Sequence, residues 1–193
     1  MSSSASSDTL VKPQVLCIGN QCIDLINIVK TYPEEDSQQK VLKQIVTRGG
    51  NGGNTMVVLS QLSAYNLRFM GTLGARDNHC LPITKGLQAH GVDLALCKRY
   101  PQYVSPTSYI TLNQSSGSRT IITFRELPEL AKQDFDKVSD EIIASQDWIH
   151  FEGRNVLNVA YMLKRINSLY NPTYSNHPII SVEIERQRPH EVR

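Results

Sequence analysis

What the chain lacks narrows its class before any motif is considered. Its four cysteines, Cys17, Cys22, Cys80 and Cys97, form no CxxC pair and show no Cys/His ligand spacing, which argues against a zinc site and against a dithiol redox motif. A reduced, cytosolic chain fits this usage, and Cys17 and Cys97 sit in or beside apolar residues, where a thiol behaves as a small hydrophobe. The five histidines, His79, His90, His150, His177 and His190, are scattered, and no metal site is assigned to them. There is no block of like charges and the formal net charge is only +2, so nothing points to a nucleic-acid or membrane partner and a small-molecule partner is expected. Lys98-Arg99 and the tail arginines Arg186, Arg188 and Arg193 are ordinary solvated charge. No apolar run approaches the roughly 18 residues of a membrane-spanning helix. The N-terminus to about residue 13 is Ser-rich, with five serines in its first seven residues, no basic start and no apolar stretch. A disordered start is expected there, not a signal peptide.

Several catalytic signatures are missing as well. The glycine run Arg48-Gly49-Gly50-Asn51-Gly52-Gly53-Asn54 lacks the Lys-Ser/Thr ending of a Walker loop, and Gly50-Asn51-Gly52 does not continue to the third glycine of a dinucleotide fingerprint. No G-x-S-x-G occurs, so no nucleophile elbow is present. Internal repeats are absent too.

What remains is a chain of 193 residues, enough for one domain with a proper core and perhaps an appendage. Val15 to Gly19 is a short apolar run closed by glycine, the pattern of a strand buried on both faces. Strand character continues through Ile23 to Val29, and Tyr32-Pro33-Glu34-Glu35-Asp36 forms a turn. Lys40 to Thr47 alternates apolar and polar residues, predicting a half-solvated antiparallel strand into the glycine run. After it, Thr55, Val58, Leu59 and Leu62 mark a helix face, which Met56 and Val57 widen toward burial nearly all round, with Asn54 as N-cap. Leu67 to Gly71 predicts a buried strand, and His79 to Ala89 a helix stopped by Gly91. Leu94 to Tyr100 suggests a further strand, Ser108 to Leu112 with Thr120 to Phe124 a hairpin, and Asp134 to Ser145 a helix. Asp147 to Glu152 is strand-like, Val159, Met162, Leu163 and Ile166 mark another helix, and Ile179 to Ile184 is a last strand. Such alternation implies right-handed crossovers and a mostly parallel sheet covered by helices. The last strand has no helix after it.

The glycine run is the first candidate site. Four glycines in five positions leave the backbone bare where an apolar helix begins, which suits close approach by a ligand; a flexible linker is the alternative. Asp24 is a carboxylate within an apolar strand and needs partners, which sugar hydroxyls can supply, unless it is simply a solvated edge residue. Asn51 and Asn54 can each donate and accept, which suits a polyol. Arg119 after Gly117-Ser118 can grip phosphate, or stand as hairpin surface charge. Glu152 and Arg154 flank a glycine at a strand end, the ligand-facing edge of a parallel sheet, or form a local ion pair.

Taken together these residues resemble the ribokinase-like (PfkB) carbohydrate kinases, and most of all their ketose-phosphorylating members. The likeness rests on Val15-Leu16-Cys17-Ile18-Gly19 with Asp24, Tyr32-Pro33-Glu34-Glu35-Asp36-Ser37, Arg48-Gly49-Gly50-Asn51 with Asn54, Gly117-Ser118-Arg119-Thr120, Trp148 to Asn155, and Ser181-Val182-Glu183-Ile184-Glu185. The resemblance implies a doubly wound α/β sheet with a small β lid (a β-clasp), the lid strands lying at about 23–47 and 108–124. It implies that Asp24, Gly50, Asn51 and Asn54 bind the ketose, that Arg119 contacts ATP phosphates, and that Asp36 reaches across a homodimer interface made by lid strands. Family chemistry transfers the γ-phosphoryl of ATP, with Mg²⁺, to the C1 hydroxyl of fructose. The family's base is the aspartate of a Gly-Ala-Gly-Asp motif, which this sequence does not contain. The expectation is thus an amino-terminal part of such a kinase, residues 14–193, with the base beyond Arg193 and phosphotransfer by this chain alone not expected.

Overall fold

The structure is a computed structural model and describes residues 11–62, 64–76, 80–170 and 177–184. The Ser-rich start to residue 10, the residues around His79, Glu185 and the tail arginines lie outside the described residues. In chain order the first elements are β1 (Gln14–Ile18), β2 (Cys22–Val29), β3 (Lys43–Gly49), α1 (Asn51–Ser60), β4 (Asn66–Met70), β5 (Thr72–Gly74), α2 (Leu81–Ala89) and β6 (Lys98–Tyr100). They are followed by β7 (Thr107–Asn113), β8 (Arg119–Phe124), α3 (Lys132–Phe135), α4 (Asp140–Ala144), β9 (Trp148–Glu152), α5 (Val156–Leu169) and β10 (Ile179–Glu183).

The most apolar strands form a parallel sheet in the order β10-β9-β1-β4. Along β1 successive side chains point to opposite faces, and both faces are covered. Val15 and Cys17 pack with Met56 of α1, Phe69 and Leu87 of α2. Leu16 and Ile18 pack with Phe135, Ile149, Phe151, Met162 and Ile166 on the side of α3, α4 and α5. Double coverage is why β1 carries an unbroken apolar run. Among the described residues β10 is an edge, with Ile179, Val182 and Ile184 exposed.

A second sheet stands apart, ordered β3-β2-β7-β8. Here β2 pairs antiparallel with β3 and parallel with β7, while β7 and β8 make the expected antiparallel hairpin. Register places Val46, Leu25, Tyr109 and Ile122 in one cross-strand row, and Ile45, Ile26, Ile110 and Ile121 in the next. Consecutive rows face opposite sides, so this sheet is apolar on both faces. Every residue of β8 is exposed.

Local expectations differ from the structure in five respects. The strand expected from Lys40 begins at Lys43 and runs on to Gly49, and the strand expected from Leu94 shortens to Lys98–Tyr100. The helix expected over Asp134 to Ser145 is broken in two: Ser139 caps α4, accepting from Ile142 N at 3.4 Å, and Arg165 donates to the Phe135 and Val138 carbonyls at the break. The helix after the glycine run is not buried nearly all round, since Val58 and Leu62 are 62% and 63% exposed. Asn54 is not its N-cap; α1 starts at Asn51 with Gly50 in the capping position, and Asn54 N donates to Gly50 O inside the first turn.

Candidate functional site

The carboxyl ends of β1, β9 and β10 converge with the start of α1, and the buried polar side chains of Gln21 and Glu152 meet the glycine run there. The glycine run turns sharply because Gly50 has φ of +97°, a conformation L side chains rarely adopt, and a Cβ there would stand 2.5 Å from Asn20 O. A Cβ on Gly49 would collide with the Asp24 carboxylate, and one on Gly53 with the Gln21 carboxamide. The run is therefore bare for close packing of its own polar neighbours, not for flexibility. Gln21, almost wholly buried, lies between two members of the run: with its amide oriented so that donors meet acceptors, the nitrogen donates to Gly49 O at 3.0 Å and the oxygen accepts from Gly53 N at 2.6 Å.

Glu152, 5% exposed at the end of β9, joins three segments. Its Oε2 accepts from Asn20 N at 2.7 Å and from Gly52 N at 3.3 Å, and its Oε1 accepts from Arg154 Nε at 2.6 Å. A buried carboxylate needs such compensation, and the Gly52 N–H belongs to the first turn of α1, where the helix dipole favours negative charge. Beside it on β10, Glu183 accepts from Asn51 Nδ2 at 3.2 Å.

Asp24 projects from β2 against Gly49, opposite Thr47 and Ser108 in register. The Cys22 thiol donates to its Oδ1 at 3.5 Å, and that thiol is pushed up to about 11, mainly by burial and then by the neighbouring Asp24 charge. Cys22 is thus a neutral thiol at physiological pH, a weak donor and not a nucleophile. Arg48, next to Gly49, donates from Nη1 to Asn54 Oδ1 at 2.7 Å.

The structure brings Asp24, Gly50, Asn51, Asn54, Glu152 and Arg154 into one neighbourhood, but not Arg119 or Asp36. Arg119 pairs with Leu112, which pairs with Ile28, four residues along β2 from Asp24. At about 3.3 Å per residue this is roughly 13 Å. Asp36 is exposed in the loop between β2 and β3, with φ of +55°. Sequence reasoning missed Gln21, Glu183, Arg125 and Glu129. Gln21 had a signal, a polar side chain between two apolar strands. Arg125 donates to Glu129 Oε1 at 3.0 Å beside Arg154, and its pKa is lowered by burial and then by Arg154; nothing in the local sequence distinguishes that pair from surface charge. Together Glu129, Glu152, Arg154, Asn155 and Asn158 line a small cavity beneath Gly19 and Asn20.

Among the described residues no group of three or more His, Cys, Asp or Glu side chains is placed to hold a metal ion. Glu152 and Glu183 are engaged by N–H donors. No described helix is long and apolar enough to cross a membrane.

A parallel sheet covered on both sides, a separate four-stranded sheet and a glycine turn facing an aspartate define a sugar-kinase architecture, and the chain belongs to the pfkB family of carbohydrate kinases. The family model matches residues 12–171. Over 180 residues the chain is 37% identical to the ketohexokinase of Mus musculus, a match covering 92% of this chain and 58% of that protein. Among solved structures, the ribokinase of Giardia lamblia aligns with a TM-score of 0.74 at 15% identity, covering 93% of this chain and 52% of that one. The Arabidopsis thaliana ribokinase complexed with ribose and ATP aligns with a TM-score of 0.69 at 19% identity, covering 92% and 55%. These likenesses show a ribokinase-like α/β fold. The chain spans little more than half the length of the proteins it matches.

Proposed function

We propose that this chain carries the sugar-binding half of an ATP-dependent ketose kinase, whose reaction is phosphorylation of the C1 hydroxyl of fructose. The observation that supports it best is the placement of Asp24 against Gly49, beside a glycine turn whose helix presents Asn51 and Asn54. Asp24 accepts from sugar hydroxyls, Asn51 and Asn54 complete the polyol contacts, and Gly50 keeps the turn low enough for the sugar to approach. Glu152 and Arg154 set the turn from below. Similarity to a ketohexokinase favours a ketose over other sugars or nucleosides.

In phosphoryl transfer the protein contributes mainly position and charge. Arg119 is proposed for the ATP phosphates and Asp36 for a neighbouring subunit's site, both requiring the second sheet to act as a lid and homodimer clasp. Mg²⁺ would arrive with the nucleotide and offset phosphate charge. The Gly-Ala-Gly-Asp base is not in these 193 residues, so sugar binding without turnover is expected, in a cytoplasmic setting.

Calorimetry of the chain against fructose, ribose and adenosine tests the reading. Fructose binding that Asp24→Ala abolishes is expected, and no binding of fructose at millimolar concentration would overturn it. Mixing the chain with fructose and Mg-ATP and following ADP checks the second part; robust turnover would show that the base lies within the chain.

The two apolar faces of the second sheet and the exposed edge at β10 favour a further reading, in which the chain binds sugar without catalysis, or pairs with a complete kinase through its lid strands. Co-precipitation with a full-length partner would support it; a soluble, unassociated monomer would count against it.

A further inference from the structure

Arg48 sits where three parts of the molecule meet. It lies directly across from Ile23 on the strand that carries Asp24, and its Nη1 reaches Asn54 in the first turn of α1 at 2.7 Å. A Cβ on Gly86 of α2 would stand 3.6 Å from Arg48 Cδ, so α2 lies close along the arginine stem. Burial lowers its pKa while the Asp24 charge acts in the opposite direction. The guanidinium is therefore placed by packing on several sides.

That placement decides what Asn54 can offer. A guanidinium has donors and no acceptor, so the atom of Asn54 that meets it is the carbonyl oxygen. With Oδ1 engaged, Nδ2 is the group left to a ligand. Resting on the sugar-binding reading of Asp24 and Asn54, we propose that Arg48 is a positioning residue that leaves Asn54 with its amide nitrogen as the donor offered to a ligand. A ligand oxygen can then accept from Asn54, whereas Asp24 requires a hydroxyl that donates. A hydroxyl can meet either residue, but a carbonyl oxygen can meet only Asn54.

Two measurements on the full chain test this. In ¹⁵N-labelled protein the Asn54 side-chain amide, identified by its absence in Asn54→Asp, should relax as a rigid group, become mobile in Arg48→Met and recover partly in Arg48→Lys. Calorimetry should show fructose binding weakened about tenfold or more in Arg48→Met, with a melting temperature within a few degrees of the parent, and less weakened in Arg48→Lys. Asn54→Asp keeps an oxygen for Arg48 but removes the donor, so it should lose binding as well. Normal binding by Asn54→Asp would overturn the donor assignment, and unchanged affinity in Arg48→Met would overturn the positioning role. If the parent binds no sugar, the sugar reading fails on its own. The amide measurement still decides the rest: order lost in Arg48→Met supports the positioning, and order retained overturns it.

Discussion

The molecule contains two four-stranded sheets that solve the burial problem in opposite ways. The sheet β10-β9-β1-β4 is all parallel, and its central strands have helices on both faces. The sheet β3-β2-β7-β8 is mixed, apolar on both faces, and among the described residues no helix covers β8. The first sheet thus carries the buried core, and the second retains apolar surface that no other described residue covers. A sheet with two apolar faces calls for two coverings, which is the physical reason for assigning it a lid and partner role.

The comparison breaks most sharply if core and lid substitutions cost the same. Phe151→Ala removes a wholly buried ring in β9, and we expect a loss of about 3–5 kcal/mol in denaturant unfolding. Next in size is Gly53→Ala, which drives a methyl group into the buried Gln21 carboxamide and disturbs its bonds to the glycine run; a loss of about 1–3 kcal/mol is expected. A cost for Gly53→Ala below about half a kcal/mol would mean that Gln21 does not bind the run together. By contrast Ile122→Ser, at a side chain 68% exposed on the lid face opposite Asp24, should change unfolding free energy by less than about 0.5 kcal/mol. Its effect should instead appear in sedimentation velocity, as weaker self-association at matched concentration. A variant that associates like the parent would remove Ile122 from the proposed interface.

The same contrast explains how much was legible beforehand. The core strands announced themselves because burial on both faces demands unbroken apolar runs, as in Val15 to Ile18 and Ile149 to Phe151. Lid strands β2 and β3 and the hairpin were visible through alternation and turn residues. That β2 leaves the sheet of β1 was legible only through the family resemblance, because the break depends on Asn20 and Gln21 bonding to β9 and to the glycine run, far away in sequence. At the site, Asp24 and the glycines stood out because each breaks a local rule. Glu183 and the Arg125–Glu129 pair obey local rules and gain meaning from tertiary partners alone. The break between α3 and α4 was hidden for a similar reason: Arg165, some thirty residues on from α3, supplies the cap.

The smallest predicted effect separates the two sheets by pH. Neither the strands of the lid nor their connecting turns contain a histidine, whereas His150 lies in β9 with its Nδ1 2.8 Å from Ser181 Oγ. Trp148 Nε1, which can only donate, also meets that oxygen at 2.8 Å. The Ser181 hydroxyl is then free to donate to His150 Nδ1, an arrangement suited to the neutral ring with its proton on Nε2. Burial lowers the His150 pKa, and Glu183 and Glu152 oppose the shift without cancelling it. The unfolded chain, with an ordinary histidine near 6.5, takes up its proton first as the pH falls. Below that point the unfolded state holds more protons, so stability declines as pH drops, and above it His150 makes no pH-dependent contribution. The ring is only half-buried, and the expected contribution is screened to a few tenths of a kcal/mol. Unfolding measured at pH 7.5 and 5.5 should therefore show a slightly smaller loss in His150→Gln than in the parent. An equal loss would mean that His150 titrates alike in both states and that the Trp148–Ser181–His150 chain does not hold the ring neutral.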